Sequence, residues 1–304
     1  LRIKGEAMKL TRAIIDFNQI CFAQFYGSVQ KDDELEDRDD KILFFKHCVL
    51  NKLADINKTL KANEIILAMD SGSWREDVFT YYKAKRKEQR ADNSIEFNLI
   101  FECIDELKKD LSELNYKVIA VKKAEGDDVI AALVDKFLKD EQTEKIYIVS
   151  TDKDFQQLTN ERVLLYNHLK GELINCADKD VFLIKLIMSG DTSDGIPNML
   201  SDDDTFVNSA KRQKACGEVK QNKILTEGLD NFLKSDALIR KNFERNQKLI
   251  TLSEQYIPSN IWKAIQDEYD KVSLTFKRKN AIVIANFFRT HKLNGLVQKA
   301  NDFI

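Results

Sequence analysis

The chain has 304 residues, 43% of them hydrophobic, and its 48 Lys and Arg against 50 Asp and Glu leave a formal charge of −2; it can bury one large or two modest cores, and it neither demands nor excludes a polyanionic partner. Five scattered cysteines without a CxxC pair (Cys21, Cys48, Cys103, Cys176 and Cys216) argue against structural zinc and for a reducing compartment. No apolar run approaches the ~18–20 residues of a membrane span and no signal-peptide pattern opens the chain, so a cytoplasmic protein without membrane association is expected.

Two prolines and ten glycines predict a helix-rich, compact fold. Residues 1–7 (LRIKGEA) precede the first methionine, Met8, and read as a non-native leader. Arg12 to Asp16 (RAIID) predicts a first strand that stops at an aspartate. A polar stretch, Lys31 to Asp40, leads into an amphipathic helix from about Asp40 to Leu60, with Leu43, Phe44, His47, Val49, Leu50 and Leu53 near helical spacing. With no second histidine nearby, His47 reads as a core-edge residue and not a ligand. Glu64 to Asp70 (EIILAMD) is a second strand ending in acid, followed by the loop Ser71-Gly72-Ser73.

Trp74 to Arg90 (WREDVFTYYKAKRKEQR) departs from the overall charge balance. Arg75, Lys83, Lys85, Arg86, Lys87 and Arg90 oppose Glu76, Asp77 and Glu88, with Trp74, Phe79, Tyr81 and Tyr82 interleaved. Such a mixture suits a nucleic-acid strand, cations meeting phosphates and rings stacking on bases, or else a solvated helical face with an aromatic underside. Its place directly after the second acidic strand end favours the first reading.

A helix over Glu96 to Leu114 and a strand over Lys117 to Val121 follow. In the next segment, Lys123 to Asp140, Glu125 and Asp128 share one face of a first helical turn. Acid there favours the helix macrodipole, but three carboxylates within four residues exceed that need. The central stretch is Lys145 to Phe155 (KIYIVSTDKDF), a buried parallel strand with Asp152 and Asp154 beyond its carboxyl end, where open α/β sheets place their sites. Extended backbone past Thr151 would point both the same way. Arg162 to Tyr166 and Glu172 to Asn175 predict an edge hairpin with His168 in its loop. A helix from about Asp178 to Met188 ends before Asp191 and Asp194, which taken alone read as a helix stop with an N-cap. Beyond Asn198 an acid run, Asp202 to Asp204, precedes a basic cluster of Lys211, Arg212, Lys214, Lys220 and Lys223. Helices are predicted near Asn222 to Phe232, Ser235 to Thr251, Ser259 to Lys271 and Lys279 to His291, with no strand.

Four strand ends thus converge on acid, and carboxylates gathered in one cleft repel unless divalent cations neutralise them; oxygen donors favour Mg²⁺ or Mn²⁺ over zinc. Two such ions ~4 Å apart can activate a water and stabilise both reacting oxygens of a phosphodiester, with no side-chain nucleophile. In order, AIIDFNQI, IILAMD with WREDVFTYYKAKR, AEGDD, IVSTDKDF and SGDTSDGIPN resemble the flap-endonuclease superfamily of 5′-nucleases, in particular its phage RNase H branch, over nearly the whole chain from Met8.

The resemblance implies an α/β, PIN-like fold: a central, mostly parallel sheet flanked by helices, a helical arch and a smaller all-helical C-terminal region. It places the catalytic domain at 8–198, the arch near 71–95 and a DNA-binding helical domain at 199–304. It implies two Mg²⁺, for which Mn²⁺ can substitute: the first with Asp16, Asp70, Asp128 and Asp152, supported by Glu125, the second with Asp154, Asp191 and Asp194, some through water. The motif leaves open which of Asp127 and Asp128 faces the metal. Lys83 and Arg86 match arch residues that reach the scissile phosphate, and Arg75 and Tyr82 match neighbouring DNA contacts. The glycine-rich helix-hairpin-helix of the superfamily is not recognisable after the last aspartate. Lys211, Arg212, Lys214 and Lys220 occupy its place, either as a grip on the duplex or as a mobile surface loop.

The implied activity is 5′-to-3′ exonuclease and flap-endonuclease cleavage at the 5′ ends of flapped, nicked, forked or RNA-primed duplexes, RNA/DNA hybrid included, as in primer removal during phage-type replication. The implied setting is a monomer in the cytoplasm, the host's if the protein is phage-encoded, with a single-strand-binding protein or a sliding clamp as partner classes. Two rivals stand beside it. A haloacid-dehalogenase-type phosphohydrolase would use the first aspartate of the DxD as nucleophile, but leaves Asp16, Asp70 and Glu125 to Asp128 without a role. A catalytically inactive DNA-binding relative conflicts with the complete acidic set.

Overall fold

The computed structural model describes residues 9–32, 35, 37–92 and 94–304, with the side chains of 90–96 left aside. The leader expected at 1–7 lies outside the described residues, as do residue 93 of the arch segment and part of the polar stretch 31–40. Apolar runs become strands here because alternate side chains find two separate cores. In β1 (Leu10–Asp16), Ala13 and Ile15 face one hydrophobic cluster and Ile14 the other. After α1 (Phe17–Gln24) and α2 (Arg38–Leu60), β2 (Glu64–Ala68) repeats the pattern, Ile65 and Leu67 against Ile66 and Ala68. Then come α3 (Arg75–Val78), α4 (Ala84–Asp92), α5 (Ser94–Leu111), β3 (Lys117–Ile119), α6 (Gly126–Leu138), β4 (Thr143–Val149) and the hairpin of β5 (Val163–Asn167) and β6 (Glu172–Ile174).

The strand order is β3-β2-β1-β4-β5-β6, parallel except for the β5–β6 pair. The chain works outward from β1 in both directions, so the switch point lies between β1 and β4, where an open sheet leaves a crevice beyond its carboxyl ends. Asp16 is the last residue of β1, and Asp152 follows shortly after β4.

The chain is completed by α7 (Lys179–Ser189), α8 (Glu218–Glu227), α9 (Leu229–Ser235), α10 (Ala237–Ile250), α11 (Ser259–Thr275) and α12 (Ala281–Thr290). Beyond β6 the described residues form no strand longer than the isolated Asp191–Ile196 bridge. Where one helix is predicted over Asn222 to Phe232, Gly228 at φ +103° divides two, a conformation that glycine adopts without a steric penalty. The last helices are continuous with the sheet's own cores: Trp262, Ile265 and Tyr269 of α11 join the cluster of Ile14 and Ile148, and Ile284 and Phe288 of α12 join that of Phe17 and Leu50. Met199, Leu200, Cys216, Ile224 and Phe243 form a separate cluster with Ile187 and Met188 of α7. No helix among the described residues is long and apolar enough to cross a membrane.

Candidate metal and active site

Beyond the carboxyl ends of β1, β2 and β4 lies a cleft of about 320 Å³ lined by Asp16, Asp70, Glu125, Asp127, Asp152, Asp154, Asp191 and Asp194, together with Asn18, Gln19, Lys83 and Arg86. Local backbone sets each acid in place. Asp16 caps α1, accepting from Gln19 N at 3.3 Å and from Ser150 Oγ at 3.0 Å. Asp70 accepts from Gly126 N at 2.6 Å. A Cβ at position 126 would stand 3.3 Å from Asp70 Oδ1, so glycine lets the first turn of α6 come this near.

The expectation of extended backbone past Thr151 is corrected. Asp152 caps a 3₁₀ helix over Lys153–Leu158, because its Oδ1 accepts from Asp154 N at 2.9 Å and turns the chain. Both carboxylates still reach the cleft. In the turn that follows α7, Asp191 Oδ1 accepts from Ser193 N at 2.8 Å. Lys83, at φ +54°, donates its backbone N–H to Asp194 O at 2.8 Å. Gly195, at φ +73°, makes room for this seam, since a Cβ there would lie 2.9 Å from Tyr81 O.

The electrostatics of the cleft follow from crowding. Burial, with the charges of Asp70 and Asp152, raises the Asp16 carboxyl to about 7. Burial, with Asp152 and Asp191, does the same for Asp154. Asp127 is pushed up by burial among Asp16, Asp152 and Glu125. Asp194 is raised by burial and Asp191 against the pull of Lys83 and Arg86. Burial would raise Glu125 as well, but Lys83 and Arg75 bring it below its ordinary value. A cluster that resists ionisation in this way is suited to cations, and an all-oxygen donor set fits a hard divalent ion. Among the described residues no three His, Cys, Asp or Glu side chains close into a tight metal shell.

Asp127 and Asp128 part company. Asp127 lines the cleft, whereas Asp128 is fully buried behind it. Its Oδ2 accepts from Trp74 Nε1 at 3.2 Å, Arg75 Nη1 at 3.0 Å and Glu125 N at 3.0 Å. The expectation that Asp128 is a first-metal ligand is therefore corrected: the structure keeps it out of the cleft, and Asp127 stands on the cleft wall in its place. Successive helical residues point about 100° apart, so only one of the pair can face the cleft.

Arg75 and Tyr82, expected as DNA contacts, are only 3% and 2% exposed and bond inward. Arg75 holds Glu125 and Asp128, and the Tyr82 hydroxyl lies 2.8 Å from Asp194 Oδ2 and 2.9 Å from Glu125 Oε2. Neither can present itself to a strand. Lys83 pairs with Glu125, and Arg86 Nη2 lies 3.0 Å from Asp194 Oδ1, so both expected arch cations stand at the acidic wall.

Lys211 pairs with Asp202 at 2.9 Å and Asp204 at 2.7 Å. Arg212, Lys214 and Lys220 are exposed. The segment they stand on is strapped down: Asn198 Nδ2 donates to Lys214 O at 2.6 Å, Lys214 N to Ser201 Oγ at 2.8 Å, and Gln221 Nε2 to Cys216 O at 2.7 Å. Lys214 borders a cavity of about 680 Å³ that opens beside Asp152, Asp154 and Asp191. His168 does occupy the hairpin turn, but buried rather than in solvent. Sequence reading passed over Asn18, Gln19, Ser150 and Gly126, which hold the aspartates or their backbones; the one signal for the first two was their position directly after Asp16.

A family model for the 5′–3′ exonuclease N-terminal, resolvase-like domain matches residues 11–185. The chain is 26% identical over 306 residues to Ribonuclease H of Enterobacteria phage T4, covering 95% of each. It is 34% identical over 162 residues to a 5′–3′ exonuclease of Mycoplasmopsis pulmonis, covering 52% of this chain and 49% of that one. Among solved structures, the phage T5 5′-exonuclease with bound divalent metal ions (zinc) superposes with a TM-score of 0.66 at 16% identity, over 88% of this chain and 100% of the other. The bacteriophage T5 flap endonuclease in a complex with DNA and metal ions gives 0.65 at 15%, over 87% and 100%.

Proposed function

This chain belongs to the 5′–3′ exonuclease family and is a 5′-nuclease, with 5′–3′ exonuclease and flap-endonuclease activity, and on that premise we propose how its cleft works. Asp16, Asp70, Asp127 and Asp152 would hold one divalent cation, and Asp154, Asp191 and Asp194 a second, Mg²⁺ by preference. Bound there, such ions supply an activated water and stabilise charge on the attacking and leaving oxygens. The chain's own residues do the rest. Lys83 and Arg86 offset charge that develops on the reacting phosphate, where a fixed cation matters most. Gln19 takes the Thr151 N–H at 2.7 Å and so fixes the turn that carries Asp152. Arg212, Lys214 and Lys220, on the strapped segment of the helical part 199–304, grip duplex phosphates beside the catalytic part 8–198.

The observation that carries this reading is the convergence of seven crowded aspartates at the sheet's switch point, with two cations of the arch segment on the cleft wall. A haloacid-dehalogenase-type reading leaves Asp16, Asp70 and Asp127 idle although they line the same cleft as Asp152. Substrates of the proposed class are 5′-flapped, nicked and RNA-primed duplexes; the T5 relative solved with DNA and metal ions supports this. The test is Mg²⁺-dependent digestion of a 5′-labelled flap, a nick and an RNA-primed duplex side by side, by wild type and Asp152→Asn. Cleavage of the flap by wild type alone is expected; turnover by Asp152→Asn near the wild-type rate would remove that residue from the site.

A further inference from the structure

Behind the cleft one buried arginine touches three parts of the molecule. Arg75 Nε donates to the Leu249 carbonyl of α10 at 2.7 Å. Its Nη1 donates to Glu125 Oε2 at 2.8 Å and to Asp128 Oδ2 at 3.0 Å, and its Nη2 pairs with Asp128 Oδ1 at 2.9 Å. The guanidinium lies 4.7 Å from the Trp74 ring centroid. Nε and Nη1 have hydrogen-bond acceptors and Nη2 stands at ion-pair distance from Asp128 Oδ1, and a planar guanidinium so engaged fixes orientation as well as distance. The partners lead outward. Asp128 shares the first turn of α6 with Asp127, Glu125 receives Lys83 and Tyr82 at the root of the arch segment, and Leu249 itself lines the cleft.

We infer that Arg75 is a positioning residue: through Asp128 and Glu125 it sets the direction of Asp127 and the seat of Lys83, and through Leu249 it keeps both in register with α10, without touching cation or substrate. This rests on the two-cation reading of the cleft. Without the guanidinium, Asp128 is a buried carboxylate stripped of its cation beside Glu125, which Lys83 still holds, and the turn that carries Asp127 must shift to relieve it. A lysine supplies one point charge and cannot hold both acids in a plane. Groups that orient metal-holding side chains from behind are worth about 10–100-fold in metal affinity.

The experiment measures Mn²⁺ affinity from the free-ion paramagnetic signal, single-turnover cleavage of a 5′ flap, and flap affinity in Ca²⁺, on the full chain. The variants are Arg75→Met, Arg75→Lys, Trp74→Phe and Asp127→Asn. For Arg75→Met, Mn²⁺ binding weakens by about tenfold or more and the single-turnover rate falls at least as far, while flap affinity stays within about twofold. Arg75→Lys recovers part of both. Trp74→Phe deletes the bond from Nε1 to Asp128 and trims the indole under the guanidinium, and weakens Mn²⁺ by a smaller factor; Arg75→Lys, which keeps a charge without the fork, decides the matter if Arg75→Met does not fold. Wild-type Mn²⁺ affinity and rate in folded Arg75→Met, or in Arg75→Lys should the former fail to fold, overturn the inference while Asp127→Asn still loses Mn²⁺. If Asp127→Asn itself binds Mn²⁺ as wild type does, the reading of the cleft fails and the inference falls with it.

Discussion

Asparagine at position 127 and asparagine at position 128 should move stability in opposite directions, although the two residues are neighbours on α6. Asp128 is fully buried and its carboxylate faces the Arg75 guanidinium at 2.9 and 3.0 Å. Removing one member of a buried pair costs about 3–5 kcal/mol, and the lower end applies because Arg75 keeps Glu125 as a partner. For a chain of 304 residues about 3 kcal/mol lowers Tm by about 5 °C. Among the described residues no cation pairs with Asp127 in that way, and the pull of Lys83 on it is outweighed. Burial among Asp16, Asp152 and Glu125 raises its carboxyl, so in metal-free protein its ionisation opposes folding, and Asp127→Asn should raise Tm. The gain grows with pH, because a raised folded-state carboxyl costs wild type most where the unfolded chain has already given up its proton. Activity should not follow stability: Asp127→Asn loses cleavage, while Asp128→Asn retains a reduced rate. Calorimetric melts in EDTA at pH 6 and pH 8, with single-turnover flap cleavage in Mg²⁺, make the comparison. A common fall in Tm, or an Asp128→Asn protein that melts like wild type, would refute the division of the two acids between cleft and core.

Asp16 and Asp154, raised to about 7 in the folded chain against an ordinary 3.8, contribute stability that is fully present below about pH 4 and is lost as pH climbs toward 7; Tm in EDTA should fall over pH 5–7 and Mg²⁺ should restore it most at the upper end, whereas a rise in EDTA would count against the crowding. Lys83→Ala and Arg86→Ala should lower the single-turnover rate far more than flap affinity, since a charge aimed at the reacting phosphate matters most in the transition state; the opposite pattern would leave them as a binding face. Each of Arg212, Lys214 and Lys220 that meets a duplex phosphate should, when changed to Ala, flatten the slope of log K against log salt by about 0.9. Lys211→Ala should change it little, because Asp202 and Asp204 already occupy that charge; slopes unmoved by the first three would place the duplex elsewhere.

Strand ends were legible because their signal is local. Arg12 to Asp16, Glu64 to Asp70 and Lys145 to Phe155 each carry an apolar run and its terminating aspartate within a dozen residues, and parallel strands bring their carboxyl ends to one side whatever else the chain does. The hairpin around His168 and most helices were legible for the same reason. Between Asp127 and Asp128 the sequence could not choose, since both sit in one helical turn and the phase of that turn is set by what packs behind it. Arg75 and Tyr82 misled for a related reason: their company of cations and rings reads as a nucleic-acid face, but the acceptors that turn them inward come from elsewhere, Glu125 at 50 residues' distance from Arg75 and the Leu249 carbonyl at 174. Composition records which groups a segment owns. Which of them face solvent depends on partners that only the folded chain brings near, because a buried cation goes where its desolvation is offset by fixed acceptors.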